Sequence, residues 1–268
     1  MYQLRILGLT ALTALAAFGL ASGAHAGING FNGGTGFTLN SSGTPGVPSV
    51  SGGTATLTDG GGSENASLFF NTPQNISTFS ASFTYQAGGA RAGDGFAFVL
   101  QNDTRGANAL GQGGGSLGYG GTGAITPSAA VEFNLYAPNG VGTSFQTGGA
   151  TGPYTSTGSV AFGGGDPINV LLTYNGTTLF ESLTDPTAGT AFSTSYATNL
   201  VSAVGGSGTA LVGFTGGTGA ANSVQTVSNF QFTAGAPVPE ASATVSLGLL
   251  LALGLAVAGR RRKSAKPS

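Results

Sequence analysis

From Ile76 to Tyr85 the apolar side chains fall at every second position, with Phe79, Ala81, Phe83 and Tyr85 on one face and Ser80, Ser82 and Thr84 on the other. A period of two predicts a half-buried strand; a helix would repeat its apolar positions at three and four residues. Short apolar runs of the same kind occupy Ala66 to Phe70, Gly95 to Gln101, Ala129 to Tyr136, Ile168 to Tyr174, Thr177 to Leu183, Thr209 to Phe214 and Val224 to Phe232. Clusters of Gly, Asn and Pro separate them, and Asn175-Gly176 is placed as a two-residue hairpin turn. No stretch between them reads as an amphipathic helix. About ten or more short strands predict one all-β domain at 27–234, a sandwich of two antiparallel sheets. No repeat of fixed period is present.

The 50 glycines among 268 residues supply turns, and loops whose backbone can approach a ligand closely. Taken alone, Gly113-Gly114-Gly115 reads as a flexible spacer.

The two ends break the alternation. Residues 1–26 carry Arg5, an apolar run from Ile6 to Leu20 and the small-residue sequence Ala24-His25-Ala26, the layout of a secretory signal peptide cleaved after Ala26. In 235–268, the apolar stretch from Ala243 to Ala258 is followed by Gly259 and a cluster of Arg260, Arg261, Arg262, Lys263 and Lys266. A helix over that stretch reaches roughly 24 Å, a short transmembrane helix against a hydrocarbon core of about 30 Å. The basic tail orients it with the body outside the cytoplasm. Pro237-Val238-Pro239-Glu240-Ala241, the short apolar helix and the Arg-rich end resemble the PEP-CTERM sorting signal of exopolysaccharide-producing Gram-negative bacteria, with Ala241 where a second proline is usual. The resemblance implies cleavage near Pro239-Glu240 by an exosortase in the membrane, and delivery to the cell surface or extracellular matrix.

Charge adds an exclusion. Between the two ends stand Arg91 and Arg105 against eight acids, and no lysine. So few cations cannot neutralise a run of phosphates, and nucleic acid is not an expected partner. The chain has no cysteine, and its one histidine, His25, leaves with the signal peptide. Thiolate chemistry, the Ser-His-Asp triad, the lysine Schiff base and imidazole-ligated zinc are therefore unavailable. Carboxylates, amides, hydroxyls and backbone groups remain, a set suited to hydrogen-bonding sugars, to holding a hard cation, or to glycoside hydrolysis by paired carboxylates.

Three segments concentrate those groups. Gly93-Asp94-Gly95-Phe96-Ala97-Phe98 puts an acid between glycines at the mouth of a strand. A carboxylate there can accept from two sugar hydroxyls, or simply cap a turn. Gly113-Gly114-Gly115-Ser116-Leu117-Gly118-Tyr119 offers backbone N–H donors and, in Tyr119, a flat face for stacking. In Val131-Glu132-Phe133-Asn134-Leu135-Tyr136-Ala137-Pro138-Asn139, the strand period places Glu132, Asn134 and Tyr136 on one face. That face is either a cation site or the solvent-facing stripe of an edge strand.

With Val212-Gly213-Phe214-Thr215-Gly216-Gly217-Thr218-Gly219 and Val227-Ser228-Asn229-Phe230-Gln231-Phe232, these segments resemble in order and spacing the legume-type (L-type) lectin domain, over most of residues 28 to 233. The resemblance implies a concanavalin-like jelly roll that holds sugars in loops at one end. Asp94 would be the sugar-binding acid, Gly115 would offer its N–H, and Gly219 to Asn222 would shape sugar preference. Glu132 matches the family's metal-binding Glu, and Asn134 stands where an Asp bridges calcium and manganese. Tyr136 matches an aromatic residue whose carbonyl binds calcium. Asn139, one position late with Pro138 in its expected place, matches the Asn that touches sugar and calcium. Calcium is the cation the resemblance implies, at a site one carboxylate short; manganese is not expected, because the family's downstream histidine is absent. The resulting expectation is an exported, non-catalytic carbohydrate-binding protein whose partners are exopolysaccharide or cell-surface glycans. Two alternatives stay open: a glycoside hydrolase on the same fold, and a structural matrix protein.

Overall fold

The computed structural model describes residues 27–42 and 47–235. The expected signal peptide, and the sorting signal apart from Gly235, lie outside the described residues. Among those described, no helix is long and apolar enough to cross a membrane.

The chain runs through β1 (Ile28–Asn29), β2 (Phe37–Ser41), β3 (Ser49–Ser51), β4 (Thr54–Asp59), β5 (Asn65–Phe70), β6 (Gln74–Asn75), β7 (Phe79–Gly88) and β8 (Gly95–Gln101). It continues through β9 (Ser128–Asn134), β10 (Gly142–Thr147), β11 (Ile168–Tyr174), β12 (Thr178–Asp185), β13 (Thr190–Ala197), a four-residue helix α1 (Leu200–Ala203), β14 (Thr209–Gly217) and β15 (Val224–Ala234). Two antiparallel sheets result. One has the order β13-β12-β11-β7-β15-β4-β3 with β1 added on β15; the other has the order β10-β9-β8-β14-β5-β2 with β6 added on β14. This is the jelly-roll sandwich expected. Its hairpin between β11 and β12 turns one residue later than placed: Asn175 N–H donates to Thr178 O, leaving Gly176 and Thr177 as the central pair. The Asn175 carboxamide oxygen accepts from the N–H groups of Thr177 and Thr178.

The alternating face of β7 lies in the seam between the sheets, where Phe79, Ala81, Phe83 and Tyr85 are buried. Phe83 meets Phe96, Phe98, Phe133 and Phe214 of the opposite sheet at ring-centroid distances of 5.0 to 6.3 Å. Burying each ring contributes about 2–3 kcal/mol, which makes this cluster the main fixed point of the sandwich.

The second sheet is buried on its other face as well. Phe69, Ala97, Val99 and Ala130 pack beneath Ala109, Tyr119 and Ile125 of the long segment between β8 and β9. That cover contains the glycine-rich stretch expected to be a spacer. It is instead tied down by backbone hydrogen bonds, Gly111 N–H to Gly118 O at 2.7 Å and Gly118 N–H to Gln112 O at 2.8 Å among them. Arg105 clasps the same cover. Its guanidinium donates to both carboxylate oxygens of Asp103, at 2.8 and 2.7 Å, and to the carbonyls of Leu110 and Ala124.

Candidate functional site

Strand register decides which loops can meet. Asn65, Gly217, Gly95, Asn134 and Gly142 are successive Cα partners in one row across β5, β14, β8, β9 and β10. Just beyond that row stand Asp94, which precedes Gly95, the Thr218 to Asn222 loop, which follows Gly217, and the Leu135 to Gly140 turn, which follows Asn134. The fourth segment arrives from the cover, where Gly114 N–H donates to Thr218 O at 2.9 Å. All four sequence-predicted stretches therefore reach one rim of the sandwich.

Asp94 is buried at the centre of this rim, after a cis Gly93–Asp94 peptide. Its N–H donates to Gly217 O at 3.2 Å and its carbonyl accepts from Leu135 N–H at 2.7 Å, so its backbone joins β14 to the end of β9. Two glycines close over the carboxylate: a Cβ on Gly219 would stand 3.0 Å from Oδ2, and one on Gly114 would stand 3.8 Å away. Burial pushes the Asp94 carboxyl above the usual carboxylate range, while the nearby Gly219 backbone N–H pulls the other way. Oδ2 has no hydrogen-bond partner within the chain. It is a buried acceptor that the chain leaves unpaired.

Gly115 is the middle residue of a short helical turn over Gly114–Ser116, where the leading N–H groups have no acceptor inside the turn. The Asn139 amide packs on it so closely that a Cβ on Gly115 would stand 2.9 Å from Nδ2. Gly115 and Asn139 share a depression of about 390 Å³ with Thr151, Gly152, Pro153 and Tyr154. On the other side of the Gly114–Gly115 peptide, Gly113, Gly114, Thr218 and Gly219 line a second one of about 370 Å³ with Ser42, Ser63, Asn65 and Gln112. Asn222 contributes differently: its carbonyl accepts from Ala92 N–H at 3.1 Å and fixes the base of the Gly219 loop.

Tyr119 does not take the role expected of it. The side chain is fully buried under the cover and its hydroxyl lies 2.8 Å from Ser128 Oγ, so no ring face is available for stacking. An aromatic group that does line a rim depression is Tyr154, half-buried, from a segment the alternating pattern did not single out. Its signal in the sequence is an aromatic residue following Gly152-Pro153 in an otherwise polar loop.

Glu132 and Asn134 are not on an edge strand, since β9 lies between β8 and β10. Val131, Phe133 and Leu135 point into the seam; Glu132 and Asn134 point to the other face and are buried there. Gly152 N–H donates to Glu132 Oε2 at 3.0 Å. Burial lifts the Glu132 carboxyl to about 7, against the hydrogen bond from Gly152 N–H and the nearby Tyr154 hydroxyl. The Tyr154 hydroxyl is pushed up by its own burial and by the nearby charges of Glu132 and Asp94.

Calcium takes six to eight oxygen ligands, several of them carboxylate. Among the described residues no three Asp, Glu, His or Cys side chains gather into a cluster. Of the four residues the resemblance nominates, Asn134 turns its NH₂ end, not an oxygen, toward the carbonyls of Tyr136 and Gly140. Asn139 packs against Gly115. Glu132 alone supplies a carboxylate. This donor set does not fit calcium.

A family model described as the legume lectin domain matches residues 63–246. No curated protein sequence matches the chain. Among solved structures, the chain is similar to a lectin from Bauhinia forficata in complex with GalNAc, with 18% identity and a TM-score of 0.61, covering 78% of this chain and 98% of that one. It is similar also to arcelin-5, a lectin-like defense protein from Phaseolus vulgaris, with 20% identity and a TM-score of 0.63 over 78% and 97% of the two chains. The metal-free form of lectin I-B4 from Griffonia simplicifolia gives 16% identity and a TM-score of 0.60 over 78% and 98%.

Proposed function

Because the chain belongs to the legume lectin domain family, whose model covers more than half of it, we propose that it is a non-catalytic carbohydrate-binding protein that reads sugars at the rim around Asp94. The observation that carries the reading is the convergence of Asp94, Gly115, Asn139 and the Gly219 loop from four distant stretches. In this reading the Asp94 carboxylate accepts from two adjacent sugar hydroxyls and the Gly115 N–H donates to a third oxygen. Asn139 supplies an amide from the facing turn. Tyr154, in place of Tyr119, offers the apolar surface against which a sugar ring packs. The Gly219 to Asn222 loop sets which sugar fits.

Hydrolysis is disfavoured by the same geometry. Glu132 is buried beneath the segment that carries Gly152 and Tyr154, and paired-carboxylate hydrolysis needs two acids flanking an accessible scissile bond. The proposed setting is outside the cell, with the N-terminal segment directing export and an exosortase processing the C-terminal signal. Exopolysaccharide or cell-surface glycans are the proposed targets. Shallow loop depressions give weak single-site binding, so display of many copies on a surface would multiply avidity.

A glycan array followed by titration calorimetry tests the reading. Asp94→Ala removes a charged acceptor, and hydrogen bonds to charged groups are worth about 1.5–3 kcal/mol, so affinity should fall at least about tenfold. Equal binding by the wild type and the variant removes the proposed site.

A further inference from the structure

The turn from β9 to β10 is organised from its inside by one side chain. Asn134, the last residue of β9, donates one amide hydrogen to Tyr136 O at 2.9 Å and the other to Gly140 O at 2.8 Å. The amide orientation is fixed by these partners, because only the NH₂ end can meet two carbonyl oxygens. Tyr136 O also accepts from Asn139 N–H at 3.0 Å, which occupies both lone pairs of that carbonyl. Gly140 N–H donates to Ala137 O at 2.9 Å and closes the same turn. Asn139, which packs on Gly115 at the rim, is thus carried on a loop whose converging carbonyls are already bound to protein donors.

We infer that the Asn134 amide does for this loop what a divalent cation would do, drawing its carbonyls inward, and that the loop holds its shape with no bound metal. An aspartate at the same position would turn a carboxylate oxygen toward two carbonyl oxygens. That arrangement repels itself unless a cation stands between them. The amide and the carboxylate-plus-cation are alternative solutions to one electrostatic problem, and this chain has the first. The bearing on sugar binding rests on the reading above; the claim about cations does not.

The test compares the wild type with Asn134→Asp by calorimetric titration of calcium or manganese and by thermal melting, in chelator and in millimolar calcium. For the wild type, no saturable heat and the same Tm in both buffers are expected. For Asn134→Asp, Tm should fall by at least about 3 °C in chelator and recover in calcium. Saturable micromolar binding of either cation by the wild type, or a calcium-dependent rise in its Tm, overturns the inference. So does an Asn134→Asp protein as stable in chelator as the wild type. Should the variant fail to fold, the wild-type titration decides alone. Glycan titration in chelator separates the two claims: no binding in any buffer defeats the lectin reading and leaves this one standing, whereas binding lost to chelator and restored by calcium defeats this one.

Discussion

At the rim the decisive contacts are between a carboxylate and glycines. Gly219 closes over Asp94 Oδ2 with backbone alone, and a methyl group there would sit 3.0 Å from it, tighter than ordinary van der Waals contact. Gly219→Ala should therefore weaken glycan binding severalfold while moving Tm little, because the loop lies at the surface; calorimetry beside a melting curve checks both. Tyr119→Phe makes the opposite separation. It deletes the buried hydroxyl partner of Ser128 and should cost about 1 kcal/mol of stability while glycan affinity stays unchanged, which denaturant unfolding and titration would show. The place of Asp94 at a strand mouth was legible from its flanking glycines, whereas the sugar-binding role assigned to it came only from the resemblance. The fate of Tyr119 was not legible, because it depends on which segment lies over the second sheet, a long-range fact that spacing does not encode. For Tyr154 the sequence marks only an aromatic residue in a Gly-Pro loop; that its ring lines a depression depends on the same long-range packing.

Among elements, the legible strands are those with one strongly apolar face. The spans read for β8 and β11 agree with those observed, Gly95–Gln101 and Ile168–Tyr174. The strands β2, β3, β4, β10 and β13 went unread: their small hydroxyl side chains blur the apolar alternation, and pairing to a neighbour, not local pattern, makes them strands. The cover over the second sheet is the element whose nature was most misjudged, since glycine content suggests slack while its hydrogen bonds and Tyr119 anchor it. Arg105 and Asp103 are its clasp. The Arg105 guanidinium holds the Asp103 carboxyl down to about 2, so this contribution to stability is complete above about pH 4 and is lost as pH falls through about 2. Asp103→Asn would break a bidentate pair whose arginine is partly exposed, at a cost of about 1 kcal/mol. Hydrogen exchange should show the loss first in residues 104–126; uniform loss across both sheets would contradict the clasp.

For the molecule as a whole, the same kind of linkage runs the other way near neutrality. Glu181 of β12 is buried, and its Oε2 accepts from the Tyr196 hydroxyl of β13 at 2.8 Å and from Thr143 Oγ1 of β10 at 3.1 Å. It thus joins an edge strand of one sheet to an edge strand of the other, facing two hydroxyls and no cation. Burial lifts its carboxyl to about 7 despite both hydrogen bonds, and burial together with Asp59 lifts Glu64 to about 7 also. In the unfolded chain such groups ionise near 4.3, so between about pH 4 and pH 7 the folded protein holds more protons than the unfolded one. Stability is then complete below about pH 4 on this account and declines as pH rises through about 7. Set against the Asp103 clasp, which fails only in strong acid, this puts the greatest stability in mild acid, near pH 4–5. Melting from pH 5 to pH 8 should show Tm falling by several degrees, on the order of 2–4 °C for each kcal/mol lost. Glu181→Gln keeps an acceptor for Tyr196 and Thr143 but cannot ionise, so it should flatten part of that slope without lowering Tm at pH 5. A wild-type Tm that is flat or rising over this range would mean that Glu181 ionises freely inside the sandwich, and that the seam between the edge strands admits water.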